Sequence, residues 1–238
     1  MGHHPTLSLV IPCFNELDSL PRLIGRCQEL TERDRAIEVV IVDNGSTDGT
    51  REFLTQLGSA KGSLKFVYVD QNVGYGHGIL EGLSAAHGTY IGWTHADLQT
   101  DPIDGLKALA QLQGVAGSVL VKGSRTHQAR PVFDRFLTAG MSVFESALFG
   151  VVLTDINAQP TIFSRDLLDC VRNPPFDFSL DLYVFALAKK ESFTIRRFPV
   201  EFHERAFGDS HWNTSLVSRL RFIKRTVSYS LKLRMQWR

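Results

Sequence analysis

The chain has 238 residues, of which 43% are hydrophobic and 21% are charged, and this fits one globular domain with a full-sized core. The composition excludes a disordered chain, because enough apolar side chains are present to bury a core. The net charge of +1 conceals an asymmetry, since residues 210–238 contain seven of the 26 Lys and Arg residues and none of the 25 acidic residues. A basic tail after an acidic body favours an anionic partner, either a membrane or a nucleic acid.

The cysteines and the apolar segments limit the class of protein further. Cys13, Cys27 and Cys170 are odd in number and show no CxxC spacing, which argues against a disulfide framework and a structural zinc site. The first residues lack a charged region, a long apolar region and a cleavage site, so we expect no signal peptide. No run of about 18 apolar residues occurs, so we expect no membrane span. These features together predict a cytoplasmic protein.

Short apolar and β-branched runs alternate with helix-length amphipathic segments along the chain. The predicted strands are Leu7–Pro12, Glu38–Val42, Leu64–Val69, Thr89–Trp93, Ser118–Lys122 and Phe193–Phe202. The predicted helices are Leu17–Leu30, Asp48–Leu57, Gly76–Ala86, Val132–Leu148, Asp181–Lys189 and a basic amphipathic tail over Leu216–Arg238. This order predicts an α/β domain over residues 1–212, with a mostly parallel central sheet flanked by helices, and a tail over residues 213–238.

The ends of the predicted strands are where ligands of such a sheet bind. The first strand is not followed by GxGxxG, and the chain contains neither a GxxxxGK[ST] loop nor a GxSxG turn, which argues against dinucleotide enzymes, P-loop enzymes and α/β hydrolases. Asp43 directly follows the second strand and could accept a hydrogen bond from a base N–H or a ribose hydroxyl. The alternative is a turn or helix cap made by residues 43–46. A glycine-rich stretch at 74–78 either approaches a ligand or forms a tight turn.

The segment from Trp93 to Pro102 carries three possible metal ligands. His95, Asp97 and Gln99 are spaced by two residues, so in extended backbone they can face the same side. A divalent ion held there could bind a pyrophosphate and stabilise a departing nucleoside diphosphate. The alternative is a polar loop in which Asp101 and Pro102 begin the next helix.

Five motifs occur in a fixed order along residues 6–212. They are VIPCFNE at 10–16, VDNGSTDGT at 42–50, ADLQ at 96–99, GSR at 123–125 and RAFGDS at 205–210. In this order they resemble family 2 glycosyltransferases of the GT-A (Rossmann-like) fold. The most similar group is the polyprenyl-phosphate glycosyltransferases, which include dolichyl-phosphate mannose synthase.

The resemblance implies a role for each matching residue. The residues expected to bind the nucleotide-sugar are Pro12, Phe14, Asn15, Glu16, Asp43, Asn44, Gly76, Ala96 and Asp97. The expected metal ligands, for magnesium or manganese, are His95, Asp97 and Gln99. The expected catalytic residues are Asp97, Arg125 and Arg205, and the acceptor phosphate is expected on Arg125 and Arg135. Solvation at the surface is the alternative role for Arg125 and Arg135, and a site role for Gln159 and Asp181 is left open.

The chain departs from the family pattern at two acidic positions. His95 and Asn44 stand where aspartates are usual, and Phe14 stands where tyrosine is usual. We hypothesise that His95 is a metal ligand and shifts the preference from magnesium toward manganese, because imidazole suits transition metals better. The alternative is that His95 only packs or forms hydrogen bonds beside the site.

The resemblance implies a metal-dependent inverting hexosyltransferase that moves a GDP- or UDP-linked sugar to a polyprenyl phosphate. A phosphate acceptor is already an oxyanion, so it needs no strong general base, and no residue of the sequence stands out as one. The alternatives are transfer to a sugar hydroxyl of a glycan and a nucleotide-sugar-binding domain without turnover. A nucleic-acid-binding module is disfavoured, because the positive charge is confined to the tail.

The tail interleaves apolar residues with its cations, so it can lie in a membrane interface. We therefore expect a peripheral enzyme at the inner face of the membrane. The alternatives are a helix that caps the domain core and a helix that pairs with another subunit in a homo-oligomer.

Overall fold

A computed structural model describes residues 4–58, 64–128, 132–203 and 216–237, without the side chains of 127–128, 132–136 and 216–222. The strands are β1 (Leu7–Cys13), β2 (Ile37–Asn44), β3 (Leu64–Val69), β4 (Tyr90–Trp93), β5 (Val119–Gln128), β6 (Thr161–Ser164) and β7 (Thr194–Phe202). The helices are α1 (Leu20–Arg33), α2 (Thr50–Leu57), α3 (Tyr75–Ala85), α4 (Asp104–Leu112), α5 (Val132–Phe149), α6 (Ser179–Lys190) and α7 (Leu216–Gln236), with a 3-10 helix at Arg165–Cys170.

The seven strands form one sheet in the order β3-β2-β1-β4-β6-β5-β7. Among the strands of the described residues, only β6 runs antiparallel, and it pairs with β4 on one side and β5 on the other. The carboxyl ends of β1, β2, β3 and β4 therefore meet at one edge of the sheet. The predicted α/β architecture with a mostly parallel, helix-flanked sheet is confirmed.

The sheet separates two apolar cores, and this explains why its central strands are apolar on both faces. All eight residues of β2 are buried. Leu9 and Ile11 of β1 pack in the core that includes α1 and α4, whereas Val10 packs in the core that includes α3 and α6. The alternation of side chains across β1 thus supplies both cores from one strand.

β6, the 3-10 helix and α4 are not among the predicted strands and helices, although the start of α4 was foreseen as an alternative. β6 spans only four residues, too few to show the two-residue alternation of a strand. It is recognised by its pairing with β4, in which Ile162 lies opposite Gly92. Helix α4 begins three residues after Asp101, whose Oδ1 accepts the Ile103 N–H at 3.0 Å. The predicted loop alternative, in which Asp101 and Pro102 lead into a helix, is therefore correct for that part of the segment.

Helix α7 packs on the domain through its C-terminal half. Leu233 is buried, and the Ser230 hydroxyl donates a hydrogen bond to Glu145 of α5 at 2.7 Å. The Trp237 ring lies 5.6 Å from Phe149 and 6.0 Å from Tyr183. Burial raises the pKa of Glu145 to about 7, because the contact between α5 and α7 removes water from the carboxyl group and disfavours its charged form. No helix among the described residues has the length and apolar content needed to cross a bilayer.

Candidate active site

The loops after β1 and β2 are joined by hydrogen bonds between one loop's backbone and the other's side chains. The bonds run from Asn15 N to Ser46 Oγ (3.0 Å), from Glu16 N to Thr50 Oγ1 (3.1 Å), from Leu17 N to Asp48 Oδ2 (3.1 Å) and from Thr47 N to Asn15 Oδ1 (2.8 Å). Asn15 adopts φ +54°, a left-handed conformation that asparagine tolerates. The hydroxyl and carboxylate groups of the second motif therefore hold the first motif in place, with Phe14 45% exposed beside them.

Asp43 is fully buried at the end of β2, and both of its oxygens have partners. Oδ1 accepts the Ser46 N–H at 3.1 Å, and Oδ2 accepts from Arg51 Nε at 2.6 Å. The bond from Ser46 N–H forms the turn over residues 43–46 that the sequence offered as the alternative to a ligand-binding role for Asp43. Arg51, which no sequence motif marks, also contacts Asp70 at 3.5 Å and so joins the ends of β2 and β3. A nucleoside-binding role for Asp43 stays a prediction.

Asn44 anchors the start of α3. Its side chain is buried, its Nδ2 donates to the Gly74 carbonyl at 3.0 Å, and a Cβ on Gly78 would lie 2.7 Å from its Cγ. An aspartate could not donate this bond, which gives a physical reason for the departure from the family pattern. Gly76 is also buried, since a Cβ there would lie 2.6 Å from the Pro175 carbonyl oxygen. Gly76 is therefore required by close approach of the protein's own backbone.

The loop after β4 is held by a hydrogen bond within it and by contacts with the residue that follows β7. Asp97, 8% exposed, accepts the Gln99 N–H at 3.1 Å, and Leu98 between them has φ +57°. Gln99 bonds the backbone of His203 twice, through its carbonyl at 2.9 Å and through its Nε2 at 3.2 Å. The loop is thereby fixed to the end of β7, directly before residues 204–215, which the structure does not describe. Ala96 is buried beside Asp97.

The donor set of this loop fits a divalent ion that takes its other ligands from a diphosphate. No group of three or more His, Cys, Asp or Glu side chains able to hold a metal occurs in the part of the chain that is described. Magnesium in phosphate-transfer sites is often held by one or two carboxylates plus substrate oxygens, which the Asp97 carboxylate satisfies. The Gln99 side-chain NH2 donates to the His203 carbonyl, and its Oε1 is the side-chain atom that suits a metal.

An aromatic wall lies beside this loop. The Tyr75 ring is stacked on Phe178 at 4.5 Å and lies 5.7 Å from the His95 ring. The Tyr75 hydroxyl is buried and makes no regular hydrogen bond to any described group. Burial raises the pKa of Tyr75 well above its usual value, and the negative charges of Asp181 and Asp97 raise it further. The Tyr75 hydroxyl therefore stays protonated at neutral pH, and no sequence motif marks this residue.

Arg125 of β5 is fixed from three sides. Its Nη1 lies 3.4 Å from Asp155 Oδ1, its Nη2 donates to the Asn157 carbonyl, and its guanidinium lies 4.7 Å over the Phe202 ring. The surface-solvation alternative does not describe this side chain, which is 4% exposed. Arg205 lies outside the described residues, as does the side chain of Arg135 in α5. Roles for the three arginines stay predictions.

Residues 8–171 match the family model of glycosyl transferase family 2, which is more than half of the chain. The chain belongs to this family. It is 27% identical over 212 residues to an undecaprenyl-phosphate 4-deoxy-4-formamido-L-arabinose transferase from Klebsiella pneumoniae, covering 87% of this chain and 62% of the relative. The transferase of the same name from Pseudomonas savastanoi pv. phaseolicola is 33% identical over 175 residues, covering 69% of this chain and 49% of the relative. The chain thus spans about half to three fifths of these relatives' lengths.

Solved structures show the same GT-A fold. Glucosyl-3-phosphoglycerate synthase from Mycobacterium tuberculosis, in complex with Mn²⁺, UDP and glucosyl-3-phosphoglycerate, superposes with a TM-score of 0.73 at 20% identity, covering 97% of this chain and 80% of that one. A mannosyltransferase from Pyrobaculum calidifontis, in complex with GDP-Man and Mn²⁺, gives 0.67 at 18% identity, covering 96% and 65%. At these identities the likeness establishes the fold alone.

Behind the aromatic wall, this family 2 glycosyltransferase buries a charged group that its motifs do not mark. Lys122 of β5 is fully buried, and its Nζ donates to the Ala158 carbonyl at 2.7 Å and to Thr161 Oγ1 at 2.6 Å. Asp181 Oδ1 lies 3.8 Å from the same Nζ and accepts from Gln159 Nε2 at 2.5 Å. Gln159 and Asp181, whose roles the sequence left open, therefore form one cluster with Lys122.

Proposed function

We propose that the chain is a metal-dependent inverting glycosyltransferase that moves a sugar from a UDP- or GDP-linked donor to a polyprenyl-phosphate acceptor. The observation that carries the proposal is the position of the Asp97 loop at the same sheet edge as the two interlocked loops after β1 and β2. Family membership and the names of the relatives support the acceptor class. The structural neighbours with UDP or GDP-Man and Mn²⁺ support the donor class and the metal.

The donor's nucleoside would lie at the ends of β1 and β2. One side of this pocket would be lined by Pro12 at the end of β1 and by Phe14 and Glu16 in the loop that follows. Hydrogen bonds to the second motif fix that loop. Asp43 would face the nucleoside from the other side, with Arg51 holding its carboxylate in one orientation. A preorganised pocket of this kind binds without first ordering its loops.

The donor's diphosphate would lie at the Asp97 loop. Asp97, His95 and Gln99 Oε1 would hold a divalent ion, which when bound neutralises charge on the departing nucleoside diphosphate. Arg205, on the segment that follows β7, would reach the diphosphate from the opposite side. The bonds between Gln99 and His203 tie the start of that segment to the loop, which supports this arrangement.

The acceptor phosphate would be held by Arg125 and Arg135, through charge-assisted hydrogen bonds. A phosphate oxygen is already nucleophilic near neutral pH, so the residues of the site need only align it with the sugar C1. Attack opposite to the leaving diphosphate inverts the configuration at that carbon. Asp155 and Phe202 would hold the Arg125 side chain for this task, because they fix its guanidinium.

The test is transfer to undecaprenyl phosphate from a panel of UDP- and GDP-sugars, with magnesium or manganese. We expect product with at least one donor, and we expect Asp97→Asn to abolish transfer because it removes the metal's carboxylate. Asp101→Asn is the matched control, since Asp101 lies in the same loop but caps α4 and binds Arg26. Circular dichroism and thermal unfolding would show whether each variant stays folded.

The outcomes separate the candidate functions. Full turnover by a folded Asp97→Asn variant would remove the proposal's central residue. Donor binding without transfer to any acceptor would instead indicate a nucleotide-sugar-binding domain. Transfer only to a glycan hydroxyl would retain the enzyme and replace the acceptor.

A further inference from the structure

Lys122 occupies a strand position that would ordinarily hold an apolar side chain. It is fully buried on β5, and Leu120, which shares its face of the strand, belongs to the apolar core. Its Nζ lies 5.9 Å from the centre of the Phe185 ring. Burying a charged group is costly unless hydrogen bonds and an opposite charge compensate, and an apolar residue of similar volume would avoid that cost.

The groups that compensate this charge lead to the donor side of the site. Asp181 lies in the first turn of α6 and is 2% exposed, held by Gln159 and facing Lys122. The Phe178 ring, directly before α6, stacks on the Tyr75 ring at 4.5 Å, and the Tyr75 ring lies 5.7 Å from His95. Lys122 is therefore linked to the loop that carries Asp97 through Asp181, the start of α6 and the stacked rings of Phe178 and Tyr75.

The same lysine is connected to the acceptor side. Arg125 lies three residues later on β5, and its partner Asp155 lies 3.9 Å from Arg197 of β7. Lys122 and Arg197 are direct neighbours in the pairing of β5 with β7. The charged groups that act on Lys122 are thus Asp181 from α6, Arg197 from β7, Asp155 from the loop before β6, and Arg125 from its own strand.

We propose that Lys122 is a positioning residue, whose buried ammonium group fixes Asp181 and the Ala158–Thr161 turn between the donor-side Asp97 and the acceptor-side Arg125. The proposal rests on the proposed function for the meaning of those two sides. It assigns Lys122 no contact with substrate. Its effect is on geometry, which matters because a displacement of about 1 Å can lower turnover roughly 100-fold.

This role predicts a dependence of turnover on pH. Burial lowers the pKa of Lys122 to about 7, and the Asp181 carboxylate opposes the shift. The ammonium charge is therefore present below pH 7 and is lost as the pH rises through that value. We expect the kcat of the wild-type enzyme to fall on the alkaline side as Asp181 loses its cation.

The experiment compares wild type with Lys122→Met and Lys122→Arg, using undecaprenyl phosphate and the donor that the panel identifies. Met keeps the length of the side chain without its charge, and Arg keeps the charge at every accessible pH. We expect Met to lower kcat roughly 10- to 100-fold with a smaller change in KM. Arg should restore most of kcat and remove the alkaline decline. Lys190→Met, at the exposed end of α6, is the matched control and should behave as wild type.

A folded Lys122→Met variant with the kcat and pH profile of wild type would overturn the proposal, since a merely structural lysine gives that result. Should that variant not fold, Asp181→Asn replaces it, because it keeps an uncharged partner for Gln159 and should remove the same alkaline decline. An alkaline decline that survives in Asp181→Asn would also overturn the proposal.

Hydrogen exchange separates this proposal from the proposed function. Loss of the cation should speed exchange at residues 75–80 and 158–161, whether or not transfer is observed. Absence of transfer by the wild-type chain with every donor would defeat the proposed function alone. Unchanged exchange in these segments of Lys122→Met would defeat the role of Lys122.

Discussion

His95 is placed where two different roles are both physically reasonable, and one substitution separates them. Its imidazole precedes Asp97 by two residues, and its ring lies 5.7 Å from Tyr75 at an angle of 31°. As a metal ligand it favours manganese, whereas a second carboxylate favours magnesium. We expect His95→Asp to raise the ratio of kcat/KM with magnesium to that with manganese by about tenfold, equivalent to about 1.4 kcal/mol.

The measurement is the ratio of the two metals, because a change in overall activity alone could come from lost packing. Tyr75→Phe serves as the control, since it keeps the ring that packs on His95 and removes only the buried hydroxyl. An unchanged metal ratio in His95→Asp would mean that His95 is a packing residue of the aromatic wall.

The positions of several candidate residues could be predicted from the sequence, because motif order along a parallel sheet implies position. Asp97 and Gln99 follow β4, and Asp43 ends β2, so all three were expected at the sheet edge where they lie. Lys122 could not be predicted, because its partners Ala158 and Thr161 are distant in the chain. Arg51 lies only eight residues from Asp43, but no motif marks it. Arg51 is matched to Asp43 only once α2 packs beside β2 and β3.

At the scale of the elements, strands buried on both faces were predictable and short antiparallel ones were not. β2 shows a continuous apolar run because both of its faces are covered. β6 has only four residues, too few to show the alternation that identifies a strand, although it contains strand-favouring Thr, Ile and Phe. Its position is decided by the partners on either side, β4 and β5, which lie far from each other in sequence.

The packing of α3 on the sheet depends on one glycine and can be tested with a matched pair. A Cβ on Gly82 would lie 2.3 Å from Val10 Cγ1 and 2.8 Å from Val42 Cγ2, whereas nothing lies within 4 Å of a Cβ on Gly25 of α1. We expect Gly82→Ala to lower the free energy of unfolding by about 1–3 kcal/mol through overpacking. Gly25→Ala should raise it by about 0.5–1 kcal/mol, because alanine favours the helix.

Urea unfolding followed by circular dichroism would measure both changes. The pair controls for the substitution itself, since each variant adds one methyl group to a helix. Equal effects of the two substitutions would mean that α3 does not pack as closely on β1 and β2 as the structure indicates.

For the whole molecule, the distribution of side chains on α7 bears on how the chain would meet the proposed lipid-linked substrate. Ser230 and Leu233 face the domain, so deleting residues 213–238 would expose core surface and confuse any binding assay. The opposite face carries Lys224, Leu231 and Met235, which are exposed and lie on one side of the helix by their spacing. This arrangement supports both the capping role and the membrane role that the sequence suggested.

Vesicle sedimentation with the full chain tests the membrane role. We expect wild type to pellet with phosphatidylcholine vesicles that contain phosphatidylglycerol, and less so at high salt, because cations on α7 attract anionic lipid. Leu231→Gln with Met235→Gln should lower the pelleted fraction several-fold, since the two exposed side chains on α7 would lose their apolar contact with lipid. Leu57→Gln, an exposed apolar residue on α2, is the control and should pellet as wild type. Equal pelleting of the α7 variant and wild type would reject membrane docking through this face and leave α7 as a cap on the domain core.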